Sequence, residues 1–279
     1  MATRAVHIEV LESMDTSSFI NALRRFFALR GPAKLLRSDC GTNFIGACRE
    51  LGINSSGRQK ESLDRFLADQ GCEWHFNPPH ASHMGGSWER MIGIARRILD
   101  AMLLQLGPAK LSHEVLSTLM AEVTAIMNAR PLCAVSSDPD QPLILAPATL
   151  LTQKIGAPLD PPCESDDKDL FRSQWRRVQR LADMFWGRWR REYINSLQAR
   201  TRWTTEKPNL REGDVVLLKD AQAKRNDWPL GLIAKTLPSE DGKVRKVLVK
   251  TTKAGERKQF LRPITEIILL LPKDSSEAH

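Results

Sequence analysis

Ser38-Asp39-Cys40-Gly41-Thr42-Asn43-Phe44 and His83-Met84-Gly85-Gly86-Ser87-Trp88-Glu89-Arg90 are the two stretches on which the reading of this chain turns. Each places one carboxylate where a loop meets a regular element. The first follows a strand-like run, Ala33 to Arg37, and sits at a glycine turn; the second opens a long amphipathic helix behind two glycines. Mg²⁺ takes oxygen ligands and is held by one or two carboxylates together with waters and substrate phosphates. Asp39 and Glu89 are therefore a candidate metal pair, although only the fold can bring positions so far apart together. Blander readings stand beside it, because Asp near Gly is a common turn former and an acid in a first helical turn is favoured by the helix dipole.

Working outward, Asp15 precedes Thr16, Ser17 and Ser18 and the helical stripe Phe19, Ile20, Leu23, Phe26 and Phe27, so it is expected to cap that helix. Cys72-Glu73-Trp74-His75-Phe76 alternates like a strand and ends at Pro78-Pro79. Cys72, His75, His80 and His83 are zinc-ligand types, but alternation puts Cys72 and His75 on opposite faces, and zinc is not expected. After Glu89 the stripe Trp88, Met91, Ile92, Ala95, Ile98, Leu99, Met102, Leu103 and Leu106 keeps helical spacing and reads as core-facing. Arg90, Arg96 and Arg97 lie off it, with Arg96 two turns beyond Glu89 and so on nearly the same face, placed to meet a phosphate or simply to be solvated. A further helix runs from its expected cap Ser112 through Val115, Leu119, Val123 and Met127 and stops before Pro131.

Residues 136–166 are rich in proline and scattered acids and read as a connecting segment. A long basic amphipathic helix is expected over 167–204. Its stripe of Phe171, Trp175, Val178, Ala182, Phe185, Trp186, Trp189, Tyr193 and Leu197 suits packing, while Arg172, Arg176, Arg177, Arg180, Arg188, Arg190 and Arg191 are candidates for phosphates. From 205 to 272 the pattern switches to period two. Strands are expected at Asp214–Lys219, Leu230–Thr236, Lys243–Lys250 and Arg257–Leu261, with turns at Arg211-Glu212-Gly213-Asp214, Glu240-Asp241-Gly242 and Ala254-Gly255, as in a small antiparallel barrel. Residues 273–279 read as a disordered tail.

Charge divides the chain. Residues 1 to 171 carry 17 Lys+Arg against 20 Asp+Glu, whereas residues 172 to 273 carry 24 against 11. That asymmetry points to nucleic acid as the partner of the C-terminal half. No run of about 18 apolar residues exists, so no membrane partner is expected, and five cysteines without a Cys-x-x-Cys pair fit a reducing intracellular site.

Five ordered motifs carry a resemblance: Arg4-Ala5-Val6-His7-Ile8-Glu9, Ser38-Asp39-x-Gly41-Thr42-Asn43-Phe44, Asn77-Pro78-Pro79, His83-x-Gly85-Gly86-x-Trp88-Glu89-Arg90 and Asn128-Ala129-Arg130-Pro131-Leu132. Together they resemble the integrase of BEL/Pao-type LTR retrotransposons. The resemblance implies an α/β fold: a ribonuclease H-like integrase core over residues 1–135, then the long helix and a small SH3-like β-barrel. It implies an Asp, Asp, Glu triad binding Mg²⁺ or Mn²⁺ for polynucleotidyl transfer, in which Asp39 matches the second Asp and Glu89 the Glu. The strand resembling Met1 to Val10 would be the third of the core, so the first strands and the first Asp are expected upstream of this chain, and the chain as given is expected to be inactive. Cys40 stands where the family usually has Asn. Asn209-Leu210-Arg211-Glu212-Gly213-Asp214-Val215-Val216-Leu217 and Trp228-Pro229-Leu230-Gly231 look like the domain that follows the core. In that domain Lys243, Arg245, Lys246, Lys250, Arg257 and Lys258 would meet phosphates, joined by Arg90, Arg96, Arg97, Arg176, Arg177 and Arg180. DNA as partner, multimers, a nuclear location and no small-molecule cofactor follow from the same resemblance. A second reading keeps only the basic half, as a non-catalytic nucleic-acid-binding remnant or a domesticated protein.

Overall fold

The structure is a computed structural model that describes residues 3–13, 15–38, 73–76, 86–106, 111–134, 144–154, 173–197, 208–220, 223–253 and 256–273. Two compact units are present: one is formed by His7–Arg97 with Lys110–Met120, the other by Met1–Val6, Ile98–Ala109 and Ala121–His279.

In the first unit, α1 (Thr16–Arg30) starts where the sequence places its cap. The Asp15 carboxylate accepts from the Ser18 backbone N–H at 2.6 Å, satisfying one of the amides that a helix start leaves without partners. The Phe19, Ile20, Leu23 and Phe26 face of α1 gathers around buried Phe27 with Ala33 and Leu36. Leu36 belongs to β1 (Leu35–Ser38), which pairs in parallel with β2 (Glu73–Phe76) through four registered residues. Parallel pairing requires a long crossover between the strands, and this one spans the segment that begins with Asp39.

Two helices follow, α2 (Gly86–Leu106) and α3 (His113–Asn128). Ile94, Ala95, Ile98 and Met102 are the buried line of α2; Ile92 and Leu103, expected in the same stripe, are exposed. The stripe is one residue narrower on each side than the apolar pattern suggests, because a helix of mixed neighbours buries only the residues nearest its axis of contact. The Ser112 hydroxyl accepts from Val115 N–H at 3.3 Å, and the buried line Val115, Leu119, Val123 and Met127 runs down α3.

The second unit contains a hub at Asn128-Ala129-Arg130-Pro131-Leu132. The Asn128 side-chain amide accepts from Val6 N–H at 2.8 Å and donates to Val6 C=O at 2.7 Å. Arg130, 2 % exposed, donates to Met127 C=O at 2.6 Å and to Arg4 C=O. Tyr193 O–H donates to Pro131 C=O at 2.6 Å, and Leu132 N–H to Leu145 C=O at 2.8 Å. The segment Val6 to Val10, expected as a strand, is not one among the described residues. A strand needs a partner ladder; here the partner of Val6 is a side chain.

After β3 (Cys133–Ala134), β4 (Ile144–Leu145) and α4 (Pro147–Thr152) comes α5 (Gln174–Leu197). The C-terminal sheet then follows: β5 (Val215–Leu218), β6 (Leu230–Pro238), β7 (Val244–Lys253), β8 (Glu256–Pro263), a single 3-10 turn at Ile264–Glu266, and β9 (Ile267–Leu271). All pairs are antiparallel in the order β8-β7-β6-β5-β9. Its core is Val216, Leu218, Ile233, Val244, Val247, Val249 and Ile267, with Leu210 against it. β9 has no alternation to announce it, only five apolar residues in a row.

Two details explain motif residues. Buried Asp214 accepts from Arg211 N–H at 2.8 Å and from Lys273 N–H at 3.1 Å, tying the start of β5 to the chain beyond β9. Gly231 lets β7 approach β6: a Cβ there would lie 2.1 Å from Val249 Cγ1 and 3.2 Å from Lys250 C=O. At the β6–β7 turn Gly242 adopts φ 74, a conformation open to glycine at little cost.

Gly231→Ala is expected to lower stability by about 1–3 kcal/mol through overpacking, with part of the loss recovered in Gly231→Ala/Val249→Ala; denaturant unfolding of the two variants reads this out. The Ser13 hydroxyl, then the Ser18 N–H, hold the Asp15 carboxyl below its ordinary pKa. Because the folded value is the depressed one, the cap contributes fully above the unfolded pKa and is lost as pH falls through the folded one. The protection factor of the Ser18 amide, its intrinsic exchange rate at each pH divided by the observed one, is expected to fall across that acidic window and to be low at every pH in Asp15→Ala.

Candidate functional site

The carboxylate pair fits a hard, oxygen-seeking cation by its donor chemistry. β1 ends at Ser38, so position 39 leaves the carboxyl end of a parallel strand, where open α/β sheets place their ligands. Asp39 itself lies outside the described residues. Glu89 falls in the first turn of α2, and its side chain also lies outside them. The same holds for Cys40, Cys72, His80, His83 and the side chain of His75. Among the described residues no group of three or more His, Cys, Asp or Glu is placed to hold a metal, and no described helix is long and apolar enough to cross a membrane.

The basic candidates separate by environment. Arg90, Arg96 and Arg97 are exposed on α2. On α5, Arg176, Arg177 and Arg180 are half-buried, and the Arg176 guanidinium lies 5.4 Å from the ring of Trp175. Trp175 is itself 49 % exposed, so the packing stripe of α5 begins only at Val178. From there Val178, Leu181, Ala182, Phe185, Trp186, Trp189, Tyr193 and Ile194 are buried. Phe185 stacks on Trp189 and Trp189 on Tyr193 at 6.0 and 6.1 Å, while Trp186 and Tyr193 each meet Trp228 edge-on at 5.0 and 5.4 Å.

Arg190 is no phosphate contact. The residue is 7 % exposed, and its guanidinium donates to Asp220 C=O and, at 3.4 Å, to Leu218 C=O, and lies 6.0 Å from the Trp228 ring. Burial pulls its pKa down, with Asp220 and Asp227 pulling the other way. Arg225, in the loop after β5, is equally buried. It pairs with Asp183 at 3.1 Å and Glu122 at 3.4 Å and donates to Gln179 at 2.6 Å, joining that loop to α5 and α3. Composition counts these arginines as surface charge; only the fold removes them from it.

The sheet splits the remaining set. Residues opposite one another in an antiparallel pair share a face, and faces alternate along a strand. Val247 and Val249 point into the core, so Lys246, Leu248 and Lys250 point out. Register adds Lys235 and Leu237 from β6 and Arg257, Gln259 and Leu261 from β8 to that outward face. Lys258 falls on the opposite face, with Phe260 and Arg262, whose guanidinium lies 5.6 Å from the Phe260 ring. Arg245 is bound by Asp241 at 3.0 and 2.6 Å, and this bond holds the Asp241 carboxyl below its ordinary pKa. Lys243 lies in the β6–β7 turn, exposed. Sequence reasoning missed Lys235; the signal was its place in a predicted strand of otherwise apolar residues.

Comparison with known proteins gives three findings. A model of a family described as "Family of unknown function (DUF5641)" matches residues 173–270, from the residue before α5 to the penultimate residue of β9. None of the curated proteins matches the chain. Among solved structures the chain is similar to a chain of the "CryoEM structure of simian T-cell lymphotropic virus intasome in complex with PP2A regulatory subunit B56 gamma", at 11% identity and a TM-score of 0.32. That similarity covers 92% of this chain and 65% of the other, so this chain spans just under two thirds of its length.

Arg130→Met is expected to cost about 2–4 kcal/mol, since two hydrogen bonds from a charged donor are lost and two carbonyls are left unbonded. Tyr193→Phe, which removes one neutral bond, is expected to cost about 1–2 kcal/mol. Thermal unfolding at neutral pH orders the two.

Proposed function

We propose that this chain is related to the integrases of BEL/Pao-type retrotransposons and that its C-terminal half holds nucleic acid. What carries the proposal is the position of the motif acids: Asp39 directly follows the carboxyl end of a parallel strand, and Glu89 stands in the first turn of the helix that the second motif opens. A ribonuclease H-like core sets its acids at such junctions. Asp39 and Glu89 would then hold Mg²⁺ or Mn²⁺; when bound, such ions activate an attacking oxygen and stabilise the leaving one. The exposed Arg96, two turns along α2 from Glu89, would orient an incoming phosphate by charge-assisted hydrogen bonds.

The order β8-β7-β6-β5-β9, with a 3-10 turn before the last strand, supports an SH3-like barrel for the C-terminal sheet. The excess of 24 Lys+Arg over 11 Asp+Glu in residues 172 to 273 supports DNA as its partner. Multimer formation and a nuclear site of action belong to the same reading. The second reading, a nucleic-acid-binding protein without chemistry, is favoured by that charge alone.

Duplex DNA binding by the purified chain is expected to weaken linearly on a log–log plot against salt. Binding indifferent to salt, or none, removes both readings. In a protein that carries the upstream coding sequence, Asp39→Asn and Glu89→Gln are each expected to abolish metal-dependent strand joining while leaving duplex binding unchanged. Joining that survives either substitution removes Asp39 and Glu89 as the metal-holding acids, and a parent that binds duplex but joins no strands leaves only the second reading.

A further inference from the structure

One face of an antiparallel sheet that packs on its core with the other is ordinarily polar. The outward face of β6–β8 departs from that. Register is unbroken from Lys235–Leu237 through Lys246–Leu248 to Leu261–Pro263, so six outward side chains form a block of two rows. One row is Leu237, Lys246 and Pro263; the other is Lys235, Leu248 and Leu261. A strand spacing of about 4.8 Å and a rise of about 3.4 Å per residue make the block about 10 Å across the strands and about 7 Å along them. Leu237 is 39 % and Leu261 53 % exposed, Pro263 is exposed, and Leu248 between them is half-buried. Single leucines on a surface need no explanation, but adjoining ones on the solvent side of a sheet do. The cross-strand pair Leu248 and Leu261 supports the pairing of β7 with β8; it gives no reason for Leu237.

Shape and charge narrow what covers this block. An α-helix with its side chains is about 10 Å wide, which matches the block, and a helix lies naturally as a second layer on a sheet face. An extended segment laid over the face would find no backbone groups to pair with, whereas a helix satisfies its own. Lys235 and Lys246 are exposed beside the leucines, and by register none of the residues that β6–β8 contribute to this face is acidic. A second copy of the chain would therefore bring like charge against like.

We infer that the block of Leu237, Leu248, Leu261 and Pro263, with Lys235 and Lys246 set among them, is a protein-docking surface for an acidic amphipathic helix. The apolar stripe of that helix, one residue every three or four, covers the leucines. Asp or Glu beside the stripe meets the two lysines, which fix its orientation and reject basic helices. This surface is separate from nucleic-acid binding by the C-terminal half and does not rest on it.

The test selects binders to the full chain from a displayed library of helical peptides randomised at their exposed positions. Enrichment of helices with apolar residues at i, i+3 or i+4 and i+7, flanked by Asp or Glu, is expected. One such peptide is then titrated against the parent and two double variants, Leu237→Ser/Leu261→Ser and Lys235→Glu/Lys246→Glu, each checked for an unchanged unfolding transition. The leucine variant is expected to lose more than about tenfold in affinity, as removal of central apolar anchors does. The lysine variant is expected to lose the acidic peptide and to gain its counterpart with Lys in place of the acids. Duplex DNA affinity of the leucine variant is expected to equal that of the parent. Enrichment of basic or non-helical peptides, or binding indifferent to both variants, overturns the inference. A parent that dimerises in solution and becomes monomeric in the leucine variant gives the face to a second copy and overturns it too. Duplex affinity that falls with the leucines, with no helix selected, gives the face to nucleic acid instead.

Discussion

A guanidinium taken out of water must have its N–H groups bonded, or the burial costs several kcal/mol. Much of the second unit is organised by that requirement, which Arg190 meets only in part, its buried Nε having no hydrogen-bond partner among the described residues. Arg130 is anchored on Met127 and Arg4 carbonyls, Arg190 on Leu218 and Asp220 carbonyls, and Arg225 on the carboxylates of Asp183 and Glu122. Each ties together stretches remote in sequence: the N-terminal segment to the end of α3, α5 to the end of β5, and the loop after β5 to two helices. Arginine suits these sites because it stays charged when desolvated and offers several donors in a fixed plane. Arg130 also sits at the carboxyl end of α3, where the helix dipole favours a cation. Burial lowers its pKa and raises that of Tyr193 beside it, as each group resists the form that it cannot hydrate.

Once those arginines are spoken for, the charge on the sheet takes on a different meaning. A net surplus spread over a hundred residues says little about where a ligand lies. Register says much more. Because β-strand side chains alternate, the same six basic residues divide into three on the outward face (Lys246, Lys250 and Arg257), one in an ion pair (Arg245), one on the reverse side (Lys258) and one in the turn between β6 and β7 (Lys243). Lys235 joins the outward three only through the pairing of β6 with β7, which includes a shift between Ile233 and Lys235. Without that bulge Lys235 would face the core.

Local chemistry was legible where one residue type has one dominant conformational reason. Asp15 before Thr-Ser-Ser, Ser112 before an apolar period and Gly242 after Glu-Asp all took the places expected of them, because caps and tight turns are settled within four residues. The stripes of α1 and α3 were equally plain. Other elements were not legible, for a common reason: they depend on a partner. Val6 to Val10 alternates like a strand, yet Asn128 satisfies Val6 in place of a ladder. β9 is five apolar residues in a row, of which only Ile267 and Ile268 are buried, and periodicity cannot distinguish such a run from a short helix. Arg190 reads as one more solvated arginine on a basic helix until Trp228 and the Asp220 carbonyl are placed against it.

The sequence by itself determined the caps and turns, the apolar stripes of α1 and α3 and the position of the acidic and basic halves, since each of these rests on short-range geometry or on counting. Tertiary structure alone decided which cations are buried ties and which share an open face, because burial and register are properties of pairs of segments that no single segment encodes.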